Sequence, residues 1–223
     1  MCEHYAEAEQ LYARGVHVVS TDEKTGIQAL ERTRPALPMK PGLVERVEGE
    51  YVRHGTQCLI ANLEVATGEV IAPTIGPTRT SEDFAAHIAR TISTDPDAGW
   101  VFVTDGLNTH QSEVLVKLVA ERCGIGLDLD ERGSLKNMKA MASRRTFLAD
   151  PNHRVRFVYT PKHTSWLNQV ELWFSILTRR LLKRGSFKAV EDLKQRILAF
   201  VEYFNQTLAK PFKWTYKGRP LQA

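Results

Sequence analysis

The chain has 223 residues, 43% hydrophobic and 25% charged, with a formal net charge of +4. This is ordinary for a globular protein, long enough for one large core. No apolar run approaches the roughly 20 residues that span a bilayer. The acidic, helix-patterned opening "MCEHYAEAEQLYARG" is not a signal peptide, and the widely spaced Cys2, Cys58 and Cys123 form neither a CxxC nor a zinc pattern, which points to a reducing compartment.

The pattern over 3–13 predicts a short helix. "VHVVST" (16–21) is a β-branched run of strand length, followed at once by the polar "DEKTG". The prolines of "RTRPALPMKPG" argue against regular structure. "QCLIANLEV" and "EVIAPTIG" flank "ATGE" and predict a hairpin. Ser81 opens a helix, with Glu82 and Asp83 in its first turn and Phe84, Ile88 and Ile92 at helical spacing. "WVFVT" (100–104) reads as a buried strand, and "QSEVLVKLVAERCG" as a helix ended by Gly124, with Asn108 or Thr109 a candidate cap. In 125–152 the first part is loop-like and "SLKNMKAMASRRTFLA" predicts a basic helix; "RVRFVYT" then alternates as a strand. A helix is expected from Ser165, as cap, to Lys183, and an amphipathic one over 188–208 with Leu193, Ile197, Phe200, Val201 and Phe204 on one face. The order of elements predicts an α/β or α+β fold, a mixed sheet with helices on its faces.

Two acids follow buried strands directly: Asp22 and Asp105. Functional groups collect at strand ends in such sheets, although a single aspartate there can equally be a turn or cap residue. Asp105 opens "DGLNTH", which puts Asn108 and His110 within reach of one cleft. Glu171 lies in the otherwise apolar "SWLNQVELWFSIL", on a polar stripe with Asn168, Ser175 and Thr178, while Trp166, Val170, Trp173, Phe174 and Leu177 cover the other sides. Three carboxylates meeting in one cleft would repel one another without a cation and suit Mg2+ better than an acid–base pair. Glu23 could stand in for Asp22, but in extended chain neighbouring side chains face opposite ways. From Arg179 to Arg196 bases outnumber acids seven to two, which suits a polyanion or a solvated helix face.

The segments "STDEKTGIQALERTRP", "TDGLNTH", "YTPKHTSWLNQVELWFSILTRR" and "LAKPFKWTYKGRPL", in that order, resemble the insertion sequence 630 family of bacterial transposases, a mariner-like branch of the DDE group. The resemblance covers nearly the whole chain. It implies an RNase H-like fold and a catalytic, metal-binding triad of Asp22, Asp105 and Glu171. It also implies two Mg2+ ions (Mn2+ as substitute), cleavage at transposon ends and joining of the 3′ hydroxyl to target DNA. Transposon inverted repeats and target DNA are the implied partners, a homodimer on DNA the implied assembly, and the bacterial cytoplasm, at the nucleoid, the implied location.

Lys162, His163, Arg179, Arg180, Lys183 and Arg184 are the residues expected to contact DNA, and Asn108, His110 and Asn168 are expected to support the acids. Trp214 and Tyr216 could stack on bases or pack the tail. The expected organisation is a lead-in over 1–14, a catalytic unit over 15–208 and a tail over 209–223, without the family's N-terminal helix-turn-helix modules. The 66 positions separating Asp105 from Glu171 exceed the family's usual gap. The excess lies in 124–152, where Lys136, Lys139, Arg144 and Arg145 could contact DNA or another subunit, or could decorate the surface. A truncated, non-catalytic DNA-binding derivative is the alternative reading.

Overall fold

A five-stranded mixed sheet organises the molecule, in a computed structural model that describes residues 1–162 and 164–216. His163 and the end of the tail lie outside the described residues. The elements in chain order are α1 (Cys2–Ala6), α2 (Ala8–Tyr12), β1 (Val16–Arg32), β2 (Tyr51–Glu64), β3 (Val70–Gly76), α3 (Ser81–Ile92), β4 (Gly99–Thr104), α4 (Glu113–Cys123), α5 (Met141–Leu148), β5 (Val155–Tyr159), α6 (Val170–Leu177) and α7 (Val190–Thr207). The sheet order is β3-β2-β1-β4-β5. β1 pairs antiparallel with β2 and parallel with β4, so it joins a hairpin half to a parallel half.

Strand alternation divides the core. Ile60, Trp100, Phe102 and Phe157 face α3, α4 and α5, where Phe84, Ile88, Leu115 and Leu148 meet them. Leu59, Ala61 and Leu63 point the other way, onto Val170, Trp173 and Phe174 of α6 and Leu193, Ile197 and Phe204 of α7. Val18, Val101 and Val103 bury Tyr5 and Ala8 of the first two helices, with Trp214 from the tail against them. Trp214 thus packs the tail, its ring 5.0 Å from that of Tyr5.

Several boundaries differ from those read in the sequence. The opening helix is two short ones that break at Glu7. β1 does not stop at Thr21 but runs on to Arg32, because 22–32 find partners in β2, with register shifts after Lys24 and after Gln28. α3 is capped by Thr80 in a capping box with Asp83, and α4 by Ser112 rather than Asn108 or Thr109, which lie in a 3-10 turn (Asn108–Gln111). Gly124 ends α4 at φ 66°, as expected. Only Met141–Leu148 of the long basic segment is helical. The Ser165–Lys183 helix is three pieces: a 3-10 turn (Ser165–Leu167), α6, and a π-helical turn (Thr178–Leu182). Ser165 is not a cap, Asn168 precedes α6, and Trp166 is 57% exposed instead of buried.

Candidate active site

Parallel pairing between β1 and β4 ends at Ser20 opposite Val103, while β1 continues. Two positions further along that register stand Asp22 and Asp105. A crevice opens where a strand outruns its neighbour, at the carboxyl end of β4. Asp22 is still held on its far side by pairing with Ala61 of β2, so it sits within a strand and not after one.

Asp22 is 8% exposed. The Glu23 backbone N–H donates to its Oδ1 at 2.8 Å, and Asn168 Nδ2 donates to its Oδ2 at 3.1 Å and to the Thr21 carbonyl at 2.9 Å. Asn168 is placed by Ser20, whose hydroxyl donates to its Oδ1 and accepts the Val170 N–H at 2.8 Å. This buried network is why the chain breaks helical form before α6: the Asn168 amide serves β1 instead of the helix. Burial pushes the Asp22 carboxyl up to about 7; the Glu23 N–H opposes that, and the charges of Asp105 and Glu23 add to it.

Asp105 is half-buried. His110 Nδ1 donates to its Oδ1 at 2.7 Å, and the Leu107 N–H to the same oxygen at 3.0 Å. The His110 bond holds Asp105 below the usual carboxylate range. His110 is fully buried against Phe84, ring centroids 4.2 Å apart, and its Nε2 donates to Glu23 Oε2 at 3.0 Å. Burial lowers its pKa, but the bonds and charges of Asp105 and Glu23 outweigh that and push it up to about 9. His110 is therefore a buried imidazolium clamped between two carboxylates.

The structure thus gathers Asp22, Asp105, His110 and Asn168 with Glu23. Glu171 shares no hydrogen bond or ion pair with that group through its side chain among the described residues, although its backbone N–H donates to the Asn168 carbonyl at 3.1 Å. Glu171 lies in the first turn of α6, half-buried, and its carboxylate makes no hydrogen bond or ion pair among the described residues. Among the described residues no three His, Cys, Asp or Glu side chains are arranged to hold a metal ion, the His110 nitrogens being turned to Asp105 and Glu23. Asn108 is exposed, with no side-chain hydrogen bond among the described residues. Asp22 and Asp105 nevertheless suit a divalent cation: both offer hard oxygens, and the Asp22 carboxyl is raised first by burial and then by its like-charged neighbours, a charge that Mg2+ or Mn2+ would neutralise.

The expected DNA contacts are scattered. Lys162 is exposed and lines a cleft of about 430 Å³ with Asp105, Gln111 and Arg145. Arg179 and Arg180 lie on the π-helical turn and line a separate hollow with Phe204 and Lys210. Lys183 is exposed, and Arg184 pairs with Glu45 at 2.8 Å. Sequence reasoning missed Ser20 and Gln111, whose Nε2 donates to the Gly106 carbonyl at 2.9 Å; neither has a motif around it that signals a role. It treated Glu23 as a spare ligand, whereas Glu23 is the second partner of His110.

The family model for DDE superfamily endonucleases matches residues 17–194. The chain belongs to that family. The DDE endonuclease fold here is the RNase H-like one: the structure is similar to a Mos1 transposase paired-end complex with left transposon end (TM-score 0.54, 12% identity, 90% of this chain and 52% of that one). It is also similar to a Mos1 mariner paired-end complex with Mn (0.50, 12%, 91% and 54%) and to a Mos1 strand transfer complex (0.50, 14%, 91% and 53%). At these identities the likeness is one of fold, and the chain spans about half the length of those transposases. No curated protein matches. No helix among the described residues is long and apolar enough to cross a membrane.

Proposed function

We propose that this DDE endonuclease is the catalytic part of a mariner-like transposase of the bacterial insertion sequence 630 kind. It cuts DNA at transposon ends and joins the 3′ hydroxyl to a target strand. The observation that carries the reading is the juxtaposition of Asp22 and Asp105, two positions past the last β1–β4 pair. Asp22 and Asp105 would hold divalent ions, two Mg2+ or Mn2+ in their place, with Glu171, which has no competing bond among the described residues, as third ligand. Such ions neutralise the phosphate and activate the attacking oxygen in phosphodiester chemistry. The Mos1 complexes with Mn and with transposon ends support both the metal and the DNA.

The chain's own residues orient the site. Asn168 aims the Asp22 carboxylate from the buried side. His110, anchored by Glu23, fixes Asp105 and leaves that acid's second oxygen for the ion. Asn108 has a supporting role only once DNA is present. Lys162, His163, Arg179, Arg180, Lys183 and Arg184 neutralise backbone phosphates, Arg184 after releasing Glu45. Residues 15–208 form the catalytic unit, with 1–14 leading into it and 209–223 as tail, and the unit works as a homodimer that pairs two ends.

The experiment is incubation of labelled DNA bearing inverted-repeat ends with Mg2+ or Mn2+, scored for nicked and joined products. Cleavage and joining by the wild type, lost in Asp22→Asn, Asp105→Asn and Glu171→Gln, is the expected result. Hydrolysis without joining would make it a plain nuclease. DNA binding without metal-dependent cleavage would favour the transposase-derived, non-catalytic binder.

A further inference from the structure

Helix α5, in the segment that lengthens the gap between Asp105 and Glu171, reaches the acid cleft. Its two adjacent arginines are used differently. Arg144 donates from Nε to the Gln111 carbonyl at 2.7 Å and from Nη1 to the carbonyls of Met138 and Lys139 at 3.2 and 2.7 Å. Those bonds occupy it with backbone and staple α5 to the turn that follows β4. Arg145 makes no ion pair and no hydrogen bond among the described residues. Its guanidinium lies over the Tyr159 ring, 4.7 Å from the centroid, and Tyr159 Oη donates to the His110 carbonyl at 2.9 Å. The stack fixes the plane of the guanidinium and leaves its donors unused.

The placement is specific. Arg145 Nη1 is 4.0 Å from where a Cβ on Gly106 would stand, so it lies beside the residue that follows Asp105. It lines the same cleft as Asp105, Gln111 and Lys162. Asp105 does not consume this charge, because its carboxylate is engaged by His110. A planar, always-charged fork with free donors is suited to two oxygens of one phosphate. We propose that Arg145 grips a DNA backbone phosphate beside Asp105, with Lys162 supplying a second positive charge in the cleft. The 124–152 segment is then part of the DNA-binding site and not a surface elaboration. This rests on the DNA chemistry proposed above and names a contact that reading did not contain.

The test is anisotropy of a fluorescent DNA duplex, titrated with protein at several salt concentrations. The proteins are the wild type, Arg145→Ala, Arg145→Lys and Arg132→Ala, the last an exposed arginine of the same segment. Melting curves check that each is folded. Arg145→Ala should bind roughly tenfold more weakly. Its log Kd against log salt should be shallower by about 0.9, the loss of one phosphate contact. Arg145→Lys should keep the wild-type slope but not the full affinity, and Arg132→Ala should match the wild type. Wild-type affinity and slope in Arg145→Ala would overturn the proposal while leaving DNA binding intact. Equal losses in Arg145→Ala and Arg132→Ala would also overturn it, in favour of diffuse charge. A wild type that binds no DNA would sink the functional reading first, and this inference with it.

Discussion

Asp22 shows how a buried carboxylate weighs on stability. Burial holds the proton on Asp22 up to about 7 in the folded protein, whereas the unfolded chain releases it near the ordinary aspartate value of about 3.9. Between those values the folded state binds more protons, so stability falls as pH rises through that window. Asp22→Asn removes the buried charge and keeps the shape. The variant should be more stable than the wild type by on the order of 1–3 kcal/mol at pH 8, and the gain should shrink towards zero below pH ~4. Urea melts at the two pH values decide it; an equal gain at both would mean that the charge is not the cause. Glu171 should behave in the opposite manner. Its carboxylate makes no hydrogen bond or ion pair among the described residues, so Glu171→Gln should shift the melting temperature by no more than about 1 °C. If the proposed chemistry holds, the same change should abolish cleavage. A large loss of stability in Glu171→Gln would point to a structural role instead.

At the scale of elements, α6 connects the site to the core. Trp173 is fully buried among residues of α7 and β2, and on the same helix Val170 bonds to Ser20 beneath Asp22. Trp173→Ala should cost about 3–5 kcal/mol in chemical denaturation, and the loosened helix should carry Asn168 away from Asp22. The hairpin between β2 and β3 is equally constrained: Gly68 has φ 75°, and an added Cβ would stand 2.0 Å from the Lys210 carbonyl oxygen. Gly68→Ala should therefore cost roughly 2–4 kcal/mol, measured the same way. These elements also show what the sequence made legible. Apolar runs such as "WVFVT" and the spaced face of α7 announced themselves, because the side chains that bury them are the pattern. β1 beyond Thr21 did not, since "DEKTG" carries turn-like residues that only pairing with β2 holds extended. The break before α6 was hidden for a similar reason: nothing local says that the Asn168 amide will leave its helix for Thr21 and Asp22, residues nearly 150 positions away. Of the site, the two aspartates could be found from their strands and His110 from its short spacing. The partnership of His110 with Glu23, 87 positions apart, could not.

For the molecule as a whole, the long arm between β1 and β2 contributes little to the fold. Leu37, Met39, Leu43 and Val44 are exposed, and the arm is tied by isolated bridges such as Leu37 to Arg46 and by the surface pair of Glu45 with Arg184. Replacing 38–45 with an Asn-Gly turn should leave the melting temperature within about 3 °C of the wild type, since a surface ion pair is worth ~1 kcal/mol or less. A larger fall would show that the arm is part of the core. The position of β1 has a further consequence, in time rather than space. It is the first strand made, yet its parallel neighbour comes from residues 99–104 and the helix beneath Asp22 from residue 170 onward. At about 5–20 residues per second, synthesis needs roughly 3–13 s to pass from Asp105 to Glu171. A nascent chain, or one broken in between, therefore carries both aspartates without α6 and α7 to cover that face of the sheet. That face of the sheet, and Asp22 with it, is thus completed only when α6 and α7 have left the ribosome.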